Sequence, residues 1–195
     1  MTDQLSAEEV AAVKAENSRR HRAAQTTRNL VWALVATLIV VLFLVLVVVR
    51  PDLQAAEPVD FGTVASQAQP GIDETLAAPV LPSGWTSNRA DLTKSGDIPV
   101  WYVGFITPSD QFIALNQGVN ANATWVDNLL ERAKPTGSTT IDGTEWTVYD
   151  HRSSDDPGNL AYALVTVAGD STYVLHGTAS DGEFALLAQS LGLLS

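Results

Sequence analysis

The stretch "STTIDGTEWTVYDHR", Ser138–Arg152, decides what kind of fold the chain can adopt. Asp142-Gly143 lies between two short β-favouring runs, and such a two-residue turn joins antiparallel strands because its backbone twist matches theirs. Strands are therefore expected at Ser138–Ile141 and Thr144–His151. Side chains alternate across a strand, so Trp146 and Val148 share one face while Glu145 and Thr147 take the other.

Working outward, "RSSDDPGN" (Arg152–Asn159) reads as a loop. Beyond it, "LAYALVTVAGDSTYVLHGT" (Leu160–Thr178) reads as a second hairpin turning at Gly169-Asp170. Ser180 and Glu183 then form a capping box, and Phe184, Leu187, Ala188 and Leu191 recur at helical spacing towards the C-terminus. On the N-terminal side of the first hairpin, Thr124 with Asp127 makes a T-x-x-D cap. The stripe Trp125, Val126, Leu129, Leu130 and Ala133 predicts a helix that Pro135 ends.

Further upstream, "PVWYVGFIT" (Pro99–Thr107) and "QFIALNQG" (Gln111–Gly118) read as strands, joined through Pro108-Ser109-Asp110. Trp85–Leu92 is an extended segment, with "KSGD" (Lys94–Asp97) as the turn that follows. The order is βββ-α-ββββ-α, which predicts an α+β fold in which an antiparallel β-sheet packs with helices. Long βαβ crossovers are missing from the pattern, and this argues against a doubly wound nucleotide fold.

The N-terminal third follows a different rule. Leu30–Val49 is a run of 20 residues without a charge and with one polar side chain, Thr37. At about 1.5 Å per residue such a helix spans roughly 30 Å, the hydrocarbon thickness of a bilayer. A signal-peptide core of about 7–15 residues with a small-residue cleavage site fits less well. Arg50-Pro51 follows the run directly, and Ala55-Ala56 has Leu53 or Gln54 where a second small residue is wanted. A soluble buried helix fits poorly beside polar flanks. Lys14, Arg19, Arg20, Arg22 and Arg28 precede the run and Arg50 alone follows closely, so the richer side is expected to be cytoplasmic.

The expected layout is a partly helical cytoplasmic tail (1–29), capped by the box Ser6–Glu9, and a transmembrane helix (30–49). A linker with a short helical turn near Thr63–Gln69 (50–78) leads to an extracytoplasmic α+β domain (79–195). The expected localisation is thus the cell membrane, single-pass, with Trp32 near the cytoplasmic interface.

Composition narrows the function classes. The chain carries 11 basic and 22 acidic residues, net −11; residues 51–195 alone carry 5 basic against 18 acidic, net −13. A surface so acidic repels phosphates, and nucleic acid is excluded as a partner. The absence of Cys excludes disulfides, thiolate zinc sites and thiol catalysis, so core packing must hold the domain together.

The basic tail, the apolar run ending in Arg50-Pro51, "PVDF" (58–61), "VASQAQ" (64–69), "APVLPSGW" (78–85) and "WYVGF" (101–105) resemble an actinobacterial membrane-protein family of uncharacterised function, domain of unknown function 4245. The "LP-GW" opening and the strand–helix order are also similar to the wider Mog1/PsbP-like group of α/β/α sandwiches. That group is mostly built of binding and assembly modules, some of them lipoproteins. The resemblance implies a binding role and brings no catalytic residues. The lipobox Cys of the lipoprotein relatives is missing here, with the apolar run in its place.

Motifs for catalysis are sparse. G-x-S-x-G, the P-loop pattern, G-x-G-x-x-G and H-E-x-x-H are all absent. The sharpest cluster is Asp150-His151-Arg152-Ser153-Ser154-Asp155-Asp156, which offers a His, two hydroxyls and three carboxylates. A Ser/His/Asp unit needs the His within reach of both partners, and neighbours on a strand point in alternate directions, so a polar strand exit is the plainer reading. The same loop lacks the D-x-[DN]-x-[DN]-G order of a calcium loop. His176, on the strand face of Val174, is expected to be satisfied by a neighbour. Trp85, Trp101, Trp125 and Trp146 are expected in the core, with one or two rings at the mouth of a groove. Asn122-Ala123-Thr124 is a sequon by pattern alone. No catalytic, cofactor or metal residue is therefore assigned.

The expectation for function is a membrane-anchored extracytoplasmic binding or interaction module of the bacterial envelope. Its partners are the lipid bilayer through residues 30–49 and an envelope protein or small ligand outside. The alternative is an envelope hydrolase using His151 or His176 with a nearby Asp or Ser.

Overall fold

The computed structural model describes residues 7–47 and 57–193; within the first helix the side chains at 7–9, 21–24, 26–27 and 45–47 lie outside the description. The chain divides into two units, Met1–Ala55 and Ala56–Ser195.

In the first unit, helix α1 runs Ala7–Val47. The expected capping box at Ser6 falls outside the described residues. Arg20 pairs with Glu16 one turn earlier at 3.0 Å. Thr37, the polar residue of the apolar run, donates its hydroxyl to the Ala33 carbonyl at 2.9 Å, so its polar atom is satisfied within the helix. Among the described residues no helix is long and apolar enough to cross a membrane. The end of the expected span, residues 48–49, lies outside the described residues. The expected transmembrane helix 30–49 is therefore not supported by the described residues.

The second unit is built on a seven-stranded antiparallel sheet in the order β1-β2-β3-β7-β6-β5-β4. The strands are β1 Thr86–Ser95, β2 Ile98–Ile106, β3 Phe112–Val119, β4 Gly137–Ile141, β5 Thr144–Asp150, β6 Tyr162–Ala168 and β7 Ser171–Gly177. Two meanders, β1–β2–β3 and β4–β5–β6–β7, meet where β3 pairs with β7, Leu115 opposite Leu175. Central strands covered on both faces are apolar throughout rather than alternating, and seven of the eight residues of β3 are buried.

One sheet face carries the larger core. Trp101, Phe105, Leu115, Trp146, Leu164 and Leu175 pack there under helix α2 (Phe61–Ala68) and helix α4 (Asp181–Ser190). Edge-on ring pairs lock it, with Phe61 5.2 Å from Phe105 and Tyr162 4.9 Å from Phe184. On the opposite face a smaller core of Val100, Ala163 and Val174 is covered by Trp125 and Leu130, at and just beyond helix α3 (Ala123–Leu129). The unit is thus an α+β fold with helices on both faces of one antiparallel sheet.

Some local expectations are corrected and others hold. The segment taken as a linker, 50–78, enters the second unit at Ala56 rather than at residue 79. The turn near Thr63–Gln69 is helix α2, capped by Asp60 and burying Ala65. Leu76 is also part of the core. The cap of α3 is Asn122, whose side chain accepts from the Trp125 amide, and Thr124 lies inside the helix. Pro135 does not end α3 either. The helix stops at Leu129, and Glu131 and Arg132 turn left-handed (φ 52° and 60°). The β5 strand ends at Asp150, one residue before His151. The Asp142-Gly143 turn has both residues at positive φ (46° and 78°), as a two-residue hairpin of the favoured twist requires. The Ser180–Glu183 capping box is present with both of its hydrogen bonds.

Candidate functional site

The polar cluster after β5 is held by ion pairing. Asp150 accepts from the Arg152 backbone N–H at 3.2 Å and from its guanidinium Nε at 2.9 Å and Nη2 at 2.5 Å. Arg152 also donates to Asp181 at 2.7 Å, at the start of α4, and its guanidinium lies 4.7 Å from the centre of the Tyr162 ring. The Arg152 hydrogen bonds draw the Asp150 carboxyl down to about 2 from its ordinary 3.8. This arrangement ties the β5 exit to the N-terminus of α4, where an anion is favoured by the helix dipole.

Neither histidine ring hydrogen-bonds to that network among the described residues. His151 donates its backbone N–H to the Ala161 carbonyl at 2.9 Å, and its Nε2 is buried without a hydrogen-bond partner among the described residues. His176 Nδ1 lies 3.0 Å from the Asn159 carbonyl, so that nitrogen carries the proton and donates. Burial lowers the pKa of His176, which favours the neutral ring at neutral pH. Neither ring meets a carboxylate or a hydroxyl among the described hydrogen bonds, and Ser153, Ser154, Asp155 and Asp156 are exposed. The Ser/His/Asp unit considered for the loop is not assembled. Nor do three His, Asp or Glu side chains converge as a metal group among the described residues.

Of the tryptophans, Trp101 and Trp146 are fully buried. Trp101 donates its Nε1–H to the Ala77 carbonyl at 2.9 Å, while Trp146 Nε1 has no partner among the described residues. Trp85 is half-buried, edge-on to Phe105. Trp125 stands on the other face of the sheet, its ring so close over Gly118 that a Cβ there would come within 3.0 Å.

Trp125 also borders a cleft of about 250 Å³. Its lining comes from Thr93 and Ser95 of β1, Val100 of β2, Asn116 of β3, and Trp125, Asn128 and Leu129 of α3. No lining residue is ionisable. Asn116 is 4 % exposed, and its amide Nδ2 has no hydrogen-bond partner among the described residues. An unpaired buried donor costs about 1–3 kcal/mol, so it marks a place where the fold forgoes stability. The backbone around it is fixed, because Asn116 pairs with Tyr102 on one side and Val174 on the other. A second cleft, about 420 Å³, lies between residues 74–79 and the end of α4.

Sequence reasoning missed Asn116. The available signal was "NQ" inside an otherwise apolar strand: two adjacent amides there must each face a packed layer, so each needs a partner or a function. Gln117 has its partners, as described below; Asn116 Nδ2 does not.

A family model described as "Protein of unknown function (DUF4245)" covers residues 22–191. No curated protein and no solved structure matches the chain.

Proposed function

The chain belongs to the DUF4245 family of proteins of unknown function, and on that premise we propose that it is a membrane-anchored binding or interaction module of the bacterial cell envelope. The observation that carries this reading is the apolar half of α1. Its large hydrophobic side chains from Leu30 to Leu44 are all at least 38 % exposed, on every side of the helix. A helix apolar all round needs an apolar surrounding on all sides, which a bilayer supplies and a single docking face does not. The basic residues on its N-terminal side support a cytoplasmic tail and an outward-facing second unit.

Within that unit the sheet with helices on both faces supports the finer reading as a Mog1/PsbP-like α/β/α sandwich. The α3 cleft supports binding, being concave, uncharged and bordered by an aromatic ring. The alternative hydrolase reading would need His151 or His176 beside a hydroxyl and a carboxylate, and neither ring has such neighbours among the described hydrogen bonds. Alkaline carbonate extraction of membranes carrying the full chain tests the anchor. The protein should stay in the membrane pellet, and release into the supernatant would overturn the reading.

A further inference from the structure

We propose that the cleft between α3 and strands β1–β3 binds a small neutral ligand by an acetamido group. The inference rests on the reading of the second unit as a binding module and names the chemistry of its site. Asn116 lines the cleft, and its amide Nδ2 is buried without a hydrogen-bond partner among the described residues. An amide N–H donor calls for a carbonyl oxygen, and the terminal torsion of Asn is soft enough to turn Nδ2 towards one in the cleft. Val100, Trp125 and Leu129 line the same cleft with apolar surface suited to a methyl group. A carbonyl beside a methyl is the shape of an acetamido unit. Around them, Thr93, Ser95 and Asn128 offer hydroxyls and an amide for the remaining polar atoms of a neutral molecule.

Charge and size narrow the class further. An ionised ligand would lose its hydration against a lining that offers no counter-charge. At about 250 Å³ the cleft lies just under the usual range for drug-sized ligands, about 300–1,000 Å³. It therefore suits one ring or one acyl group and not a peptide or a lipid tail.

The test uses the full chain in detergent micelles with its five tryptophans labelled at the indole nitrogen, each resonance assigned by a single Trp→Phe variant. N-acetylglucosamine is the probe. Glucose, which lacks the acetamido group, and glucosamine, which carries a cation in its place, are the controls. The Trp125 signal should shift saturably with N-acetylglucosamine while Trp101 and Trp146 stay still, and both controls should bind at least about tenfold more weakly. Asn116→Leu, which keeps the branched shape and removes the donor, should weaken binding by about tenfold or more. Asn128→Ala, on the exposed side of α3, should weaken it without affecting folding and guards against a folding defect in the first variant. A Trp125 signal that does not move, equal shifts with all three sugars, or undiminished binding by folded Asn116→Leu protein would each overturn the proposal. Such a failure, alongside retention of the chain in carbonate-washed membranes, would leave the membrane reading standing.

Discussion

Asn116 and Gln117 are neighbours on β3, and they face opposite layers. Gln117 donates to the Thr75 carbonyl at 2.8 Å and to Ser171 Oγ at 3.0 Å, and accepts from the Ala77 N–H at 2.8 Å. It fastens the 75–77 segment to the middle of the sheet. Gln117→Leu should orphan the Ala77 N–H and the Thr75 carbonyl and lower stability by about 1–3 kcal/mol for each group left unpaired, read from urea unfolding. Asn116→Leu removes a donor that is already unpaired, so its midpoint should hold or rise; a loss as large as that of Gln117→Leu would contradict the assignment. At Gly177, a Cβ would fall 1.9 Å from the Phe112 carbonyl oxygen, in backbone that two strand pairings hold. Gly177→Ala should therefore be among the most damaging single changes in the chain, seen as loss of soluble folded protein. At this scale the sequence showed that "QFIALNQG" is a strand. It could not show which amide has partners, because those come from residues about 40 positions upstream and 54 downstream.

Among the elements, α4 is legible to its cap, whereas α3 is legible only without its ends. The Ser180–Glu183 box is local, so its pattern in sequence is also its geometry. What the pattern hides is that Ser109, in the turn between β2 and β3, also hydrogen-bonds Glu183. Burial pushes the Glu183 carboxyl up, but hydrogen bonds from Ser109, Thr107 and Ser180 together bring it down to about 2 from 4.5. A depressed carboxyl stabilises the fold above its unfolded value and loses that contribution as pH falls through the folded one. Asp150, lowered from 3.8 to about 2 by Arg152, acts in the same direction. The thermal midpoint should fall as pH drops from about 4.5 towards 2, and Glu183→Gln should flatten part of that fall; an unchanged profile in the variant would contradict it. In α3, two cap-type residues two positions apart competed, and Asn122 prevails because its extended backbone aims its side chain at the Trp125 N–H. Asn122→Ala should lower stability by about 1 kcal/mol and Thr124→Ala by much less, as compared in thermal melts.

For the whole molecule, the hairpins and the α+β class were legible because turns and alternation are local signals. The strand order was not, since the pairing of β3 with β7 joins residues some 60 apart and leaves no pattern in either strand. The α2 segment was legible as a short helical turn near Thr63–Gln69, but its Pro- and Ala-rich setting hid its place in the core, where Phe61, Val64, Ala65 and Ala68 recur at helical spacing and pack. The proposed placement puts the N-terminal tail inside, the sheet unit outside, and an anchor between. The chain has no Cys, so a single introduced thiol reports its own side of the membrane without background. Ser18→Cys and Ser153→Cys replace exposed residues, one in each unit. Treating intact cells with a membrane-impermeant maleimide should label Ser153→Cys at once and Ser18→Cys only after lysis. The reverse order, or labelling of neither variant before lysis, would contradict the outward-facing module.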